Sequence, residues 1–356
     1  MRNKMENTDI NEKIKQAIVK VATDPQNIDN YHDLAALYES QGMYDNMIST
    51  YEGLLAIKPD EFTALVNLGS IWFYKKDYRK AFFYLNKAVE TDPLNHVVYF
   101  SMGNVYAELK TFDKALERYD RALELNAPPV DVYNAMAQLF NDFKIYVEAE
   151  IYYKKVLELD KDNIKANIGL GNIYTQFYEF EKAFSCYKKI LDKYPDNKEV
   201  LVYVAKASSS MKHEKEACEF FEKALSVPGR NYDILIDYAI SRGEFKNFDD
   251  AIRLYERAIV EEPKNHTAYL LLGNLYYDLG DYDSAISYYE KAIKFNYKDT
   301  LAHMSQANAY YMKNDIRKAL VEYRDAIRMS QDNDEYKLIY LEILDEFITQ
   351  REKENV

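Results

Sequence analysis

Alanine recurs through this chain at a fixed spacing of 34 residues, at Ala81, Ala115, Ala149, Ala183, Ala217, Ala251, Ala285 and Ala319. A period of this length is typical of arrays of helical hairpins, in which each hairpin buries its apolar face against its neighbours. The ladder therefore predicts an all-α solenoid. It also favours an extended binding surface over an enclosed catalytic pocket.

Aligning the chain on this ladder divides it into nine units, which start at Ile28, Phe62, His96, Val130, Ile164, Lys198, Tyr232, His266 and Thr300. The eighth place of every unit holds a small residue, and the ladder position follows twelve residues later, with alanine in eight units and Met47 in the first. A large residue, usually Tyr, recurs four residues after the ladder position. Small residues opposite large ones allow two antiparallel helices to approach closely, so each unit is predicted to be a helix pair.

The same register predicts the domain organisation. Residues 1–27 should form an N-terminal helix that leads to Pro25, and residues 28–333 should form the nine tandem units. Residues 334–356 should form a final helix with a polar tail, because a stack needs a cap over its last apolar face.

The eighth unit, YLLLGNLYYDLGDYDSAISYYEKAI, resembles the tetratricopeptide repeat family, and the resemblance extends over residues 28 to 333. It implies a right-handed superhelix of helix pairs. It also implies that the first helices line a concave groove in which extended peptides or partner helices bind.

Composition narrows the range of partners. The formal charge is −13 and the pI is near 5.1, which argues against nucleic acid or an anionic membrane as the main partner. No apolar stretch is long enough to insert into a bilayer, and no secretory signal is visible at the N-terminus. A cytoplasmic location is expected.

Motifs for catalysis or cofactor binding are missing. The sequence has no GxxxxGK[ST], no GxGxxG and no HExxH, and its five histidines lie in separate units. We therefore expect no enzyme activity, no cofactor and no metal site.

The places that face the groove in this family carry two sets of polar residues. The ninth place holds carboxamides at Asn104, Gln138, Asn172, Asn274 and Asn308, which we call the carboxamide ladder. A carboxamide can pair with the N–H and C=O groups of an extended peptide. Carboxylates at Asp131, Asp233, Asp237 and Asp278 are expected to favour basic segments, although a solvated acidic face is the alternative interpretation.

Two regions depart from the common pattern. The eleventh place of the other units holds an aromatic residue, at Tyr38, Trp72, Tyr106, Phe140, Tyr174, Tyr276 and Tyr310. Ser208 and Arg242 take this place in units six and seven, so residues 206–248 are either a softer joint or simple drift in a tolerant array. The final helix has apolar Leu338, Ile339, Leu341, Leu344 and Ile348, with further apolar residues at Tyr336, Tyr340, Ile343 and Phe347. The second set exceeds what one face needs, which indicates either a self-association surface or a wide cap.

Three functional hypotheses follow. The first is a non-catalytic scaffold that binds a protein or peptide in an acidic, carboxamide-lined groove. The second is a substrate-recruiting arm that acts with a separate glycosyltransferase, because the ladder resembles the targeting arm of peptide O-GlcNAc transferases. The third is a structural subunit that uses its convex face or its C-terminal cap.

Overall fold

The computed structural model describes residues 2–330 and 333–354, and the side chains of residues 10–330 and 333–349. In this part of the chain it consists of helices joined by short turns. Their bounds are α1 Arg2–Thr23, α2 Ile28–Ser40, α3 Tyr44–Ile57, α4 Phe62–Tyr74, α5 Tyr78–Thr91, α6 His96–Glu108, α7 Phe112–Glu124, α8 Pro129–Asp142, α9 Tyr146–Leu159, α10 Ile164–Gln176, α11 Phe180–Lys193, α12 Lys198–Ser210, α13 Glu214–Ser226, α14 Tyr232–Glu244, α15 Phe248–Glu261, α16 His266–Asp278, α17 Tyr282–Phe295, α18 Thr300–Met312, α19 Ile316–Met329 and α20 Asp334–Glu354. The prediction of an all-α array of helix pairs is confirmed.

The chain divides into two compact units. Unit 1 ends at Ile173 and unit 2 begins at Tyr174, so the division falls inside α10. In unit 1, α2 packs on α3, α4 on α5, α6 on α7 and α8 on α9. In unit 2, α12 packs on α13, α14 on α15, α16 on α17 and α18 on α19, and α20 packs on α19.

Short polar residues begin many of these helices. The side chains of Asn95 and Asn265 accept hydrogen bonds from the first turns of α6 and α16. Asp77 and Asp281 do the same for α5 and α17. Such caps satisfy backbone N–H groups that have no partner within the helix, so they fix where each helix starts.

Close contact between small and large residues fixes the geometry of each pair, as the sequence predicts. A Cβ atom added at Gly103 would lie 2.5 Å from Cε1 of Tyr119, and one added at Gly273 would lie 2.6 Å from Cε1 of Tyr289. Both tyrosines are almost fully buried. Glycine at these places therefore lets the ring of the second helix lie against the backbone of the first.

The turn inside each helix pair requires a residue with positive φ. Gly42 and Gly280 meet this requirement without steric cost. The corresponding residue is a lysine in five other turns, at Lys76, Lys110, Lys144, Lys212 and Lys246, with φ between 56° and 63°. A side chain disfavours this left-handed conformation, so these turns are held by the packing of the helices around them.

Residues 206–248, the region of the proposed joint, contain a polar network around Arg242, which stands where most other first helices have an aromatic residue. The Arg242 side chain is only 13% exposed, and its guanidinium donates to Glu214 at 2.7 Å and to Asp250 at 2.5 Å. These bonds link α14 to both α13 and α15. Ser208 is fully buried. The interpretation of residues 206–248 as a softer joint stays a prediction, which hydrogen exchange would test.

The final helix packs on the last helix pair through residues of both of its apolar sets. Ile343 is buried, and Ile339, Tyr340 and Phe347 pack around it against the core of the last helix pair. Leu338 and Leu341, which were expected to cap the stack, are 61% and 56% exposed. The expected capping role is therefore wrong for Leu338 and Leu341 and correct for Ile339, and the packing of Tyr340, Ile343 and Phe347 agrees with a wide cap. The spacing of apolar residues alone does not decide which of two apolar stripes faces the neighbouring helix.

Candidate partner-binding surface

Four of the five carboxamides of the ladder are hydrogen-bonded to tyrosines of the same helix pair. The hydroxyl of Tyr119 donates to Oδ1 of Asn104 at 2.9 Å, and that of Tyr289 donates to Oδ1 of Asn274 at 2.8 Å. The same bond joins Tyr153 to Oε1 of Gln138 at 3.2 Å and Tyr323 to Oδ1 of Asn308 at 2.5 Å. In each case the tyrosine lies fifteen residues after the carboxamide.

Burial keeps these hydroxyl groups protonated. Desolvation raises the pKa of Tyr153 to about 12, and the negative charge of Asp142 adds to the effect. Desolvation likewise raises the pKa of Tyr323 to about 12 and raises those of Tyr119 and Tyr289. The tyrosines therefore act as donors at physiological pH, and the carboxamide oxygen is the acceptor.

This arrangement orients each amide group. Because the oxygen is held by tyrosine, the N–H₂ group is the part of the side chain that remains for other partners. Among the described residues, the N–H₂ groups of Asn104, Asn274 and Asn308 have no hydrogen-bond acceptor. The N–H₂ group of Gln138 donates to Asp142 at 2.7 Å.

In unit 2 the structure brings three of the predicted residues together. Asn274, Asp278 and Asn308 line one open pocket of about 260 Å³ between α16, α17 and α18, and we call it the groove pocket. Its other lining residues are Tyr277, Tyr289 and Ser305. The pocket therefore offers amide donors from two successive first helices, with a carboxylate beside them.

The predicted carboxylates differ in their surroundings. Asp237 forms an ion pair with Lys206 at 3.1 Å, and Asp233 lies 3.5 Å from Arg230. Neither of them lines the groove pocket. In the described part of the chain, no cationic side chain forms an ion pair with Asp131 or Asp278. Of the four predicted carboxylates, these two are therefore the ones whose charge no ion pair compensates among the described residues.

The ladder is interrupted in unit 2 for different reasons at its two gaps. At the ninth place of α12, Lys206 is engaged by Asp237 of the following first helix. At the same place of α14, Ile240 is 41% exposed.

The predicted residues of unit 1 differ in exposure. The exposed ones are Gln138, Asp131 and Asn172, whereas Asn104 is half-buried.

Sequence reasoning missed the role of the tyrosine hydroxyls. The aromatic ladder was interpreted as core packing, which is correct for the rings. The signal that could have revealed the hydroxyl bonds is the constant separation of fifteen residues between carboxamide and tyrosine, with Tyr rather than Phe wherever the carboxamide is present.

Two further observations concern membrane-spanning helices and metal sites. No helix in the described part of the chain is both long and apolar enough to cross a membrane. No group of three or more His, Cys, Asp or Glu side chains among the described residues is placed to hold a metal ion.

The chain is similar to known repeat proteins. Family models described as tetratricopeptide repeat match residues 31–65, 62–93, 100–164, 239–299 and 270–336, which together make up more than half of the chain. A solved tetratricopeptide repeat protein from Parabacteroides merdae is 18% identical, with a TM-score of 0.50 over 79% of this chain and 98% of that one. The pilF protein of Pseudomonas aeruginosa is 19% identical, with a TM-score of 0.49 over 57% of this chain and 92% of that one. No curated protein matches the sequence. At 18% identity the Parabacteroides merdae structure establishes the fold alone.

Proposed function

Because the chain belongs to the tetratricopeptide repeat family, we propose that it is a non-catalytic scaffold that binds an extended, basic segment of another protein. The carboxamide ladder would hold the backbone of that segment. The observation that carries the proposal is the tyrosine bond to the carboxamide oxygens of Asn104, Asn274 and Asn308, which leaves oriented N–H donors on these first helices.

An extended peptide supplies acceptors that match these donors. Its backbone carbonyl groups recur along the chain whatever its sequence, so a row of fixed amide donors binds backbone rather than particular side chains. Each such bond contributes about 0.5–1.5 kcal/mol. Because the tyrosines orient the amides in advance, little ordering remains to be done on binding.

Charge gives the preference for basic segments. Asp278 lies in the groove pocket next to Asn274, and it has no cationic partner among the described residues. Asp131 in unit 1 likewise has no cationic ion-pair partner among the described residues. On a protein of net charge −13, a basic segment approaches these carboxylates with a favourable field, and an acidic one is repelled.

Affinity capture from native cell extract tests this function. We expect a partner protein to be retained by the wild type and lost when Asn104, Asn274 and Asn308 are all changed to alanine. The control is Asn86→Ala, an exposed carboxamide on a second helix. Circular dichroism must show the same helix content in all variants.

The outcomes separate the hypotheses. Loss of a partner from the triple variant, together with weaker capture at high salt, supports a groove that binds a basic segment. Equal capture by all three proteins contradicts the proposal, and it would favour the convex face or the C-terminal helix, including self-association through its exposed Leu338 and Leu341.

The recruiting-arm hypothesis uses the same carboxamides and differs only in the partner. It predicts that the captured proteins include a separate glycosyltransferase and its substrates. Capture of partners without any such enzyme would leave the simple scaffold as the function.

A further inference from the structure

The last repeat departs from the other eight at two buried places of its first helix. The fourth place holds His303, where the other repeats have Tyr, Leu or, once, Asn167. The seventh place holds Gln306, where all the others are apolar: Leu34, Leu68, Met102, Met136, Leu170, Val204, Tyr238 and Leu272. These two places are three residues apart, so they lie on one face of the helix.

The second helix of the last repeat also departs from those of the other repeats. Glu322 stands at a place where no other repeat has a carboxylate. Asp325 stands at a place where seven of the other eight repeats have a cation: Lys87, Arg121, Lys155, Lys189, Lys223, Arg257 and Lys291. The last repeat has therefore replaced apolar and basic residues with polar and acidic ones at four places.

The structure brings these four residues together. They line an open cleft of about 420 Å³ between α17, α18 and α19, which we call the His303 cleft. The rest of its lining consists of Glu290, Ile293, Lys294, Tyr297 and Tyr310. None of its residues lines the groove pocket, so the His303 cleft is a separate surface of unit 2.

The hydrogen bonds of His303 are complete within the protein. Its Nδ1 lies 2.8 Å from Oε2 of Glu322, and its Nε2 lies 3.1 Å from the carbonyl oxygen of Tyr297. With an acceptor at each nitrogen, the imidazolium form donates both bonds. His303 and Glu322 thus compensate each other at the floor of the cleft.

Gln306 is different, because its carboxamide has no hydrogen-bond partner among the described residues although the residue is only 3% exposed. Its amide atoms are not among the side-chain N and O atoms that are completely buried without a partner, so the small exposed part of the residue leaves them open to the cleft. Leucine or methionine fills the same place in most other repeats. The carboxamide lines the cleft, where a ligand could supply the missing bond.

The acceptors around Gln306 indicate the charge of that ligand. Glu290 has no ion-pair partner in the described part of the chain. Asp325 has only distant ones, Arg324 at 3.7 Å and Arg328 at 3.8 Å. Lys294 also lines the cleft and brings one positive charge, so the two carboxylates still leave an excess of one negative charge. Together with the carboxamide oxygen they form a set of acceptors that suits a cation bearing N–H donors.

We propose that the His303 cleft binds an organic cation with N–H donors, an ammonium or guanidinium group. Oε1 of Gln306 accepts one of its hydrogen bonds, and Glu290 and Asp325 provide the compensating charge. The group belongs either to a basic side chain of a protein partner or to a free amine.

Calorimetric titration of the full chain with agmatine, cadaverine and N-acetyl-arginine amide tests this proposal. We expect at least one of them to bind with a Kd below about 1 mM. Binding of the arginine amide indicates a side-chain ligand, whereas binding of agmatine or cadaverine alone indicates a free amine. Both results support the cleft as a cation site.

Three variants locate the site. Gln306→Leu restores the apolar residue of the other repeats and should weaken binding at least about tenfold while the protein stays folded. Glu290→Gln should weaken it as well. Glu256→Gln changes the corresponding place of the preceding repeat and should have no effect. The proposal is overturned if none of the three compounds binds to the wild type, or if Gln306→Leu and Glu290→Gln bind as tightly as the wild type does.

Discussion

Replacing Gly273 with alanine tests the close packing that defines each helix pair. The new Cβ atom would lie 2.6 Å and 2.7 Å from two atoms of the Tyr289 ring and 3.3 Å from the carbonyl oxygen of Ala285. Tyr289 is 1% exposed and its hydroxyl donates to Asn274, so the ring cannot move aside without losing its packing and that bond. The clash must therefore be relieved by a shift of α16 relative to α17.

The expected magnitude is the difference between two effects. Overpacking of this kind costs about 1–3 kcal/mol. Alanine in place of glycine inside a helix recovers up to about 1 kcal/mol. We therefore expect Gly273→Ala to lower the free energy of unfolding by roughly 0–2 kcal/mol, and by about 1–3 kcal/mol relative to an alanine substitution in a helix that meets no clash.

Gly243 supplies the matched control. It also lies in a first helix of unit 2, but a Cβ atom added there would have no neighbour within 4 Å. Gly243→Ala should therefore be neutral or stabilising by up to about 1 kcal/mol.

The assay is denaturant unfolding followed by circular dichroism, with amide hydrogen exchange to report on α16 and α17, because a repeat array can unfold in parts. The reasoning fails if Gly273→Ala is as stable as Gly243→Ala. Ala307 takes the place of Gly273 in the last repeat, opposite Tyr323, so the experiment measures the local fit of one pair.

Three further predictions concern unit 2. Lys246 has a φ of 61°, so Lys246→Gly should stabilise the protein by about 0.5–1 kcal/mol in denaturant unfolding. The reciprocal change, Gly280→Lys, should destabilise it. Effects of the opposite sign would contradict the argument. Burial acts to lower the pKa of His303, but its hydrogen bonds to Glu322 and to the backbone, with nearby negative charge, raise that pKa above 6.5. The stability that protonated His303 provides is then complete below pH 6.5 and is lost as the pH rises through the raised pKa. The difference in unfolding free energy between wild type and His303→Gln should therefore shrink over that range. A difference that does not change with pH would refute this. Amide exchange should be fastest within residues 206–248 if they form a softer joint, and uniform protection across all repeats would remove that idea.

Much of the fold was predictable because it follows from periodicity. The ladder of alanines gave the register, and the register placed the glycines that face Tyr119 and Tyr289. It also brought Asn274, Asp278 and Asn308 to one surface, since residues that recur at one place of a repeat lie on the same side of neighbouring helices.

What could not be predicted depends on side-chain pairing between elements. The ion pair of Asp237 with Lys206 joins successive first helices across 31 residues, so the charge of Asp237 seemed available in the sequence but is compensated in the structure. The final helix has two apolar stripes, and only its packing on α19 decides that Ile343 is buried and Leu341 is not. Gln306 attracts notice only when it is compared with the seventh place of every other repeat.

The central claim is that the partner lies on the first helices, beside the oriented carboxamides. Site-specific photocrosslinking in native extract tests it most directly, with benzoylphenylalanine placed at Ser305 in the groove pocket or at Val260, a 77% exposed residue of α15 that lies outside that pocket. We predict that a partner crosslinks through position 305, and that the crosslink disappears when Asn274 and Asn308 are changed to alanine. Crosslinks through position 260 alone, or a position 305 crosslink that survives both substitutions, would contradict the account.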